Sequence, residues 1–576
     1  MRLLYLCLIF GGVFLYLQNT QSFYFYYIEQ LQLFLFTKQY AIDTFSQIGG
    51  GSVYLARFWG QFFVYPTAGA LITSLLFTAC VGITQQILKF VMSRISYVLS
   101  TLPAIALLVV QLDKSYLPEG TWSYLLMLFV FWGYLQIGDY KVRMLCGLGF
   151  QVVLYWVAGP IAFLFACVAF LYELLMNWRT GLFFLIMPFC QLGIGFWSVY
   201  AERIGEWRFA FLPDGYYDPL AHSSEVYYAW YIFPVCLILA RILKDKEILG
   251  KKRRDIWLLF SLKFFVVIGL IWFPLRGKAN RLVFEQDYYL RTEAWDKIIS
   301  NYPLTNTNLQ QLNILNLALA KQGRLTEDFL KYPQQEEKGL LTSWDNTMEN
   351  AITLSDIYYH IGDIASAQKF AFEGLLSSQS GGNPRLLQRL IQTNLIGGAY
   401  AVAEKYIQIL EHTLYYKKWA LQYRSLLSYE AIQRDAVLGS KQKALIKEDR
   451  YIGFPYLLQI LEQLAINNPE NSLPIQYLTV SYMLSRNLHG FQRLLNLYYY
   501  TPVWPSLSIR EQEAVVALYQ QQPDKWLDNG VSFKVESSFH KFDTDMKRFH
   551  NQMNVKEIMG KNYGGTYWYY LLFNKE

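Results

Sequence analysis

Charged residues are scarce in this 576-residue sequence: they make up 16% of the chain, whereas hydrophobic residues make up 53%. An ordinary soluble protein has about 25% charged residues, so this composition argues against a soluble enzyme. The shortage lies in the first half. Residues 1–275 contain 19 Lys and Arg and 14 Asp and Glu, whereas residues 276–576 contain 32 and 30. We therefore predict a transmembrane domain in residues 1–275, followed by a region with the charge density of a soluble protein.

The motifs of common enzyme families are also missing. The sequence has no Walker loop, no G-x-G-x-x-G, no H-E-x-x-H and no G-x-S-x-G. Its six histidines are scattered without the spacing of metal ligands, and its six cysteines all lie in apolar segments of the first half. We therefore predict no resident metal or cofactor and no disulfide bond.

Nine apolar segments of about 15–22 residues predict membrane-spanning helices. The stretch 144–176 is interrupted by Gly159 and Pro160, and two helices there place 13 Lys and Arg in the cytoplasm and 5 in the outside loops. With a single helix, the cluster Lys251–Arg254 would lie outside, contrary to the positive-inside rule. We therefore predict a bacterial inner-membrane protein with a cytoplasmic N-terminus and a periplasmic second half. The predicted spans are 3–18, 62–84, 96–112, 121–137, 144–158, 160–176, 181–199, 227–243 and 256–274.

A repeated pattern of glycine and alanine predicts helical pairs in residues 276–522. Gly362 and Ala367 recur 36 residues later as Gly398 and Ala403, and Gly323 provides an earlier glycine in the same role. Glycine permits a sharp turn between paired helices, and a small alanine lets the helices approach closely. Strand signals are nearly absent, so we predict an all-α fold with four to six helical pairs that resemble tetratricopeptide repeats.

The C-terminal tail, residues 523–576, ends in a run of Tyr and Trp between residues 562 and 572. Such a run is too aromatic to lie in water. We expect it either to cap the end of the helical solenoid or to enter the membrane interface, where Tyr and Trp are favoured.

Two predicted outside loops carry the candidate site residues. The first, 19–61, begins with an aromatic segment that suits the membrane interface, and the second covers residues 200–225. Carboxylates there could act as bases or bind a divalent cation, and arginines could bind phosphate. The alternative is that these charges are merely solvated. The candidates are Glu29, Asp43 and Arg57 in the first loop and Arg203, Arg208, Asp214 and Asp218 in the second.

Five segments resemble an uncharacterised family of polytopic envelope proteins from Gram-negative anaerobes, which carry a C-terminal tetratricopeptide-like domain. These segments are Glu29–Thr37, Gly49–Gly51, Gln61–Pro66, Asn316–Ala320 and Thr566–Tyr570. The resemblance covers nearly the whole chain. It implies an envelope location and this architecture, but it implies no activity.

A weaker resemblance, in architecture alone, is to the GT-C class of glycosyltransferases, which use polyprenyl-phosphate-linked sugars at the outer face of the membrane. It implies that Glu29 would be the catalytic acidic residue, which could act together with a divalent cation. It also implies that residues 200–225 would cover the site. The sequence departs from the class because a paired acidic motif usually follows the first span, whereas Glu29 stands alone.

The sequence thus leaves two functions open. We favour an envelope assembly or scaffold protein whose periplasmic repeats bind a protein or glycan partner, and the glycosyltransferase is the alternative. A transporter is less favoured because no inverted repeat is evident. Nucleic acid is not an expected partner, since the basic excess lies in the predicted cytoplasmic loops. The two functions differ at Glu29, which a transferase would place in a membrane-facing cavity with other polar groups.

Overall fold

The computed structural model describes residues 2–91, 97–218, 223–246, 280–378, 382–446 and 457–574. Within these ranges all regular elements are helical, and β-type pairing is limited to isolated bridges such as Tyr116 with Tyr217. The prediction of an all-α fold is confirmed for this part of the chain.

The chain divides into two compact units. Unit 1 contains residues 1–285 and two short later segments, 379–384 and 409–417; unit 2 contains 286–378, 385–408 and 418–576. The repeat pattern did not predict that the two later segments would join unit 1. The predicted domain boundary after residue 275 and the predicted last span, 256–274, lie outside the described residues.

Unit 1 contains thirteen helices before residue 247 in the described ranges, with short 3-10 turns at Gln61–Val64, Leu182–Leu185, Pro213–Tyr216 and Ser224–Tyr227. The helices are α1 Arg2–Thr20, α2 Ser22–Gln30, α3 Lys38–Phe45, α4 Gly50–Gly60, α5 Pro66–Val91, α6 Tyr97–Gln111, α7 Glu119–Leu135, α8 Tyr140–Ala158, α9 Ile161–Met176, α10 Trp178–Gly181, α11 Ile186–Tyr200, α12 Trp207–Phe211 and α13 Tyr228–Lys246.

Several helices of unit 1 have the length and composition of membrane spans. Five are long and apolar enough to cross a bilayer: Arg2–Thr20, Pro66–Val91, Tyr140–Ala158, Trp178–Tyr200 and Ser224–Ile242. Two apolar helical stretches, in α6 and α9, are shorter. Each of the eight predicted spans before residue 247 coincides with helical structure, and the count of nine spans stays a prediction.

The stretch 144–176 forms two helices, α8 and α9, which pack against each other. Gly159 ends α8 with φ +78°, a conformation that favours glycine, and Pro160, which lacks an N–H, precedes α9. Helix ends leave backbone groups without intrahelical partners. Here the Tyr216 hydroxyl donates to the Ala158 carbonyl, and the Ile161 N–H donates to that hydroxyl at 3.1 Å. One tyrosine therefore satisfies both sides of the turn.

We predict that Tyr216→Phe lowers the stability of the protein by about 1–3 kcal/mol, because a buried N–H loses its acceptor. The Ser123 hydroxyl still donates to the Ala158 carbonyl at 3.0 Å, so the loss falls mainly on Ile161. Thermal unfolding in detergent would measure the change. Tyr200→Phe, at a side chain that is 89% exposed, is the control and should have no effect; equal midpoints for the two variants would contradict the prediction.

A buried ion pair joins α8 and α9 and is hydrogen-bonded to α7. Arg143 in α8 lies with its Nε 2.7 Å from Oε1 of Glu173 in α9, and the Tyr134 hydroxyl in α7 donates to the same oxygen at 3.0 Å. Glu173 is only 3% exposed. A buried carboxylate is tolerated when it is both paired and hydrogen-bonded, and this one is.

The remaining described helices lie wholly or mainly in unit 2, except α14, which is divided equally between the two units. They are α14 residues 280–291, α15 Trp295–Asn301, α16 Leu309–Lys321, α17 Leu325–Asp328, α18 Met348–Ile361, α19 Ile364–Leu376, α20 Pro384–Ile396, α21 Tyr400–Glu411, α22 Lys417–Arg424, α23 Tyr429–Arg434, α24 Ala436–Lys443, α25 Leu457–Asn467, α26 Ser472–Leu484, α27 Leu488–Tyr498, α28 Ile509–Leu518, α29 Asp524–Asp528, α30 Phe533–Phe549, α31 Val555–Tyr563 and α32 Tyr567–Phe573, with a 3-10 turn at Phe329–Lys331.

The glycines and alanines of the repeat pattern occupy equivalent places. Gly323, Gly362 and Gly398 follow α16, α18 and α20 and have φ of +67°, +110° and +78°, so each permits the left-handed turn into the next helix. Ala367 and Ala403 are fully buried. The glycine turns and the buried alanines are therefore found where the pattern predicts them, and the tetratricopeptide-like character of the pairs stays a prediction.

We predict that Ala403→Trp overpacks α21 and costs about 1–3 kcal/mol of stability. Ala401 lies two residues earlier in the same helix and is exposed, so Ala401→Trp is a matched control with the same change in size. Thermal unfolding of both variants would separate the effects. A neutral result at Ala403 would show that this alanine does not occupy a tightly packed position.

The aromatic tail packs within unit 2. The Tyr567 hydroxyl donates to the Met483 carbonyl at 2.9 Å, and the Tyr570 hydroxyl donates to the Leu484 carbonyl at 2.9 Å. Both carbonyls belong to the last turn of α26, where intrahelical donors run out. The tail thus supplies hydrogen-bond donors to the end of α26. Its aromatic rings are shielded from water, and Tyr567 is fully buried.

Candidate functional site

Glu29, the residue on which the two predicted functions differ, is buried near the end of α2 and is 4% exposed. The hydroxyl of Tyr416 lies 2.7 and 2.8 Å from its two carboxylate oxygens and donates to them. Gln30 donates from Nε2 to the same hydroxyl at 2.7 Å and to Glu29 Oε2. The carboxylate is therefore held in a hydrogen-bonded cluster inside unit 1.

Tyr416 belongs to the segment 409–417, one of the two later segments that form part of unit 1. This segment has other contacts, with the predicted first outside loop and with the start of the second predicted span. The Phe36 N–H donates to the His412 carbonyl at 2.9 Å, and the Tyr415 ring lies 5.7 Å from that of Tyr65 in an edge-to-face arrangement. Glu29 thus contributes to holding the segment in place.

Three other predicted site residues have separate local partners. Asp43 is exposed and accepts from Gln39 at 2.8 Å. Arg208 pairs through its Nε with Glu206 at 2.7 Å. The Asp218 backbone N–H donates to the Ser115 carbonyl at 2.9 Å. These three do not line the cleft described next, and neither do Glu29 and Arg57; a functional role for the seven candidates stays a prediction.

A cleft of about 280 Å³ in unit 1 brings together residues from four predicted outside connections. Arg203 and Asp214 line it, as does Glu119, which the sequence analysis did not single out. Asp214 accepts a hydrogen bond from the Tyr227 hydroxyl. The other lining residues are Ile48, Gly49, Ser52, Val53, Gly159, Pro160, Ile204, Phe209, Gly215, Tyr216 and Tyr217.

Glu119 begins α7 and is 9% exposed. Its Oε2 atom is buried and has no hydrogen-bond partner. The positive charge of Arg57, a predicted site residue, attracts this carboxylate, but the Arg57 Nε is itself buried without a partner. The one signal for Glu119 in the sequence is a carboxylate at the start of an apolar run, where burial without a purpose would be costly.

Unit 2 contains a cluster of cations around Tyr359. The Arg389 guanidinium carbon lies 3.5 Å from the centre of this ring, and Lys441 Nζ lies 4.3 Å from it and donates to the Tyr359 carbonyl at 2.6 Å. Arg389 pairs with Asp356 at 2.7 Å, whereas Lys441 has no carboxylate partner among the described residues. Burial and the charges of Arg389 and Lys321 lower the pKa of Lys441 to about 7.

Within the described ranges, no group of three His, Cys, Asp or Glu side chains is arranged to hold a metal ion. All six cysteines are free thiols.

These features define an α-helical protein with several helices that are long and apolar enough to cross a membrane. The chain belongs to a family of unknown function, DUF6057, whose model matches residues 1–574. The predicted membership of an uncharacterised family is confirmed. No curated protein and no solved structure matches the chain. The family match carries no activity, so the envelope location and the tetratricopeptide-like character of the second half stay predictions.

Proposed function

We propose that this protein is a scaffold of the bacterial envelope, anchored in the inner membrane by unit 1. In this proposal unit 2 lies in the periplasm, and its helical pairs bind a protein or glycan partner. The observation that supports the proposal most directly is the hydrogen bonding of the Tyr416 hydroxyl to both carboxylate oxygens of Glu29.

A catalytic base or a metal ligand must present a free oxygen to its substrate or ion. Both oxygens of Glu29 instead face the Tyr416 hydroxyl, and the side chain is almost completely buried. This arrangement suits a residue that fixes the segment 409–417. It disfavours a glycosyltransferase with Glu29 as its acidic residue, and thereby favours the scaffold.

The cleft supports the predicted topology of unit 1. It unites residues 48–53, Glu119, residues 159–160 and residues 203–217, which the nine-span arrangement places on the same side of the membrane. If 144–176 crossed only once, residues 203–217 would lie on the opposite side from residues 48–53. Four connections that share one cleft are expected on one side of the membrane, which supports two crossings by α8 and α9.

The segment 409–417 supports a periplasmic location for the second half. It contacts Glu29, Phe36 and Tyr65, which belong to the first predicted outside loop and its junction with the second span. Residues that touch each other at the membrane surface share a compartment. We therefore assign this segment to the periplasmic side, as the charge distribution predicts.

A reporter enzyme that is active only in the periplasm would test this topology. Fused after Glu576, it should be active; fused after Arg254, in the predicted cytoplasmic loop, it should be inactive. The reverse pattern would refute the nine-span arrangement. A reporter active only in the cytoplasm, fused at the same two places, should give the complementary result and excludes loss of the fusion protein as the cause.

The cation cluster of unit 2 indicates where a partner would bind. The largely buried Lys441 ammonium lies beside the like charges of Arg389 and Lys321, and the charge of Glu293 and the contact with the Tyr359 ring offset only part of that cost. An anionic group on a protein or glycan would supply further counter-charge to Lys441. This makes the surface around Tyr359 the place on unit 2 to probe by substitution.

The scaffold proposal predicts opposite outcomes for two variants in a deletion strain. Glu29→Gln should restore the wild-type phenotype, because the amide is nearly isosteric and its oxygen still accepts from Tyr416. Lys441→Met should fail to restore it, because a neutral side chain cannot pair with an anionic partner. Lys443→Met is the matched control: Lys443 is exposed on the same helix and should be replaceable.

Protein levels in the membrane fraction would be compared by immunoblot, so that a loss of phenotype is not confused with a loss of protein. If Glu29→Gln abolished function at normal protein abundance, the result would support the glycosyltransferase alternative and the scaffold proposal would be wrong. If Lys441→Met retained full function, the proposal that the partner binds around Tyr359 would be wrong.

A further inference from the structure

The unpartnered oxygen of Glu119 is the buried polar group of unit 1 that most needs an explanation. A buried carboxylate oxygen without a donor is destabilising and calls for an explanation. The atom belongs to a side chain that is 9% exposed and lines the cleft. Nearby Arg57 attracts the carboxylate but forms no hydrogen bond to it, and its own Nε also lacks a partner. None of the described residues donates a hydrogen bond to this oxygen, so it is open to a donor from a ligand.

The floor of the cleft is made of backbone, which keeps it open. Gly49 and Gly159 have φ of +80° and +78° and lie against each other: a Cβ atom on Gly49 would be 3.6 Å from the Gly159 Cα. A Cβ atom on Gly215 would come within 2.8 Å of the Phe209 carbonyl oxygen. The resulting volume of about 280 Å³ is at the lower end of ligand pockets and suits a ligand the size of one ring.

The charges around the cleft restrict the class of ligand. Glu119 and Asp214 repel an anion such as phosphate, whereas Arg203 in the lining and nearby Arg57 repel a cation. A neutral ligand with several hydroxyls avoids both penalties, because each hydroxyl donates to a carboxylate and accepts from a guanidinium. The apolar faces of Phe209 and Ile204 complete a lining of the kind that a sugar ring requires.

From these contacts we propose that the cleft of unit 1 binds a sugar ring, with a sugar hydroxyl donating to Glu119 and others reaching Asp214 and Arg203. The site is separate from the partner surface of unit 2 and does not depend on the scaffold proposal. The sugar has two possible sources, a free glycan or the headgroup of a glycolipid, and the same hydroxyls would be recognised in either.

Binding would be measured on the full-length protein, purified in an amine-oxide detergent because sugar-based detergents would occupy the cleft. The soluble probes are glucose, galactose and N-acetylglucosamine, added up to millimolar concentrations. The lipid probe is a monoglucosyl diacylglycerol in nanodiscs, with phosphatidylglycerol nanodiscs for comparison. A saturable rise of the thermal midpoint marks binding; a rise with the free sugars identifies a glycan site, and a rise with the glycolipid alone identifies a headgroup site.

Glu119→Met removes the carboxylate while keeping the length of the side chain. We expect binding to weaken about 10- to 100-fold, the equivalent of one lost charged hydrogen bond. The midpoint without ligand should be at least as high as that of the wild type, because an unsatisfied oxygen disappears. A merely structural role for Glu119 would instead lower that midpoint and leave binding unchanged.

Ile204→Trp fills the cleft from an irregular loop without altering Glu119, and it tests the site if the methionine variant does not fold. It should abolish binding. Asp43→Asn removes an exposed carboxylate of unit 1 that lies outside the cleft and should bind as the wild type does. No saturable shift with any probe, or equal affinity in the wild type and Ile204→Trp, would overturn the proposal.

Discussion

The structure depends on hydrogen bonds to polar groups that its apolar surroundings would otherwise leave unsatisfied. A backbone N–H or carbonyl at a buried helix end cannot form a hydrogen bond with water. In this protein, tyrosine hydroxyls form several of these hydrogen bonds instead. Tyr216 serves both sides of the turn between α8 and α9, and Tyr567 and Tyr570 serve the last turn of α26. With 45 tyrosines, the chain has a side chain that is apolar along its ring and polar at its tip, which suits membrane-embedded and packed helices alike.

The need of buried polar groups for hydrogen-bond partners also distinguishes the acidic residues of unit 1 from one another. Glu173 has an arginine and a tyrosine, and Glu29 has Tyr416 and Gln30, so both are accounted for by the fold. Glu119 has a buried oxygen that accepts no hydrogen bond from the described residues. The partners of Glu29 and Glu173 are internal, whereas Glu119 is the carboxylate for which we propose a ligand. This contrast moves the functional question from Glu29 to the start of α7.

Local signals in the sequence predicted much of this fold. Gly159 with Pro160 marked the division of the stretch 144–176, and the glycines at 362 and 398 marked turns between paired helices, because positive φ is a property of single residues. The contents of the cleft were not predictable in this way. Glu119 and Asp214 are 95 residues apart in the sequence, and no periodic pattern indicates that they share a cavity. The entry of residues 409–417 into unit 1 is likewise a long-range contact without a local signature.

That exchange of segments has an evolutionary consequence. Residues 379–384 and 409–417 are encoded among the repeat helices yet complete unit 1, so the two units are interleaved along the gene. Recombination at a single junction after residue 285 would leave unit 1 without Tyr416, which donates to both carboxylate oxygens of the buried Glu29. A break that keeps unit 1 intact therefore has to keep residues 409–417 with it. A family model that runs across both units, from residue 1 to residue 574, is what such a constraint would produce.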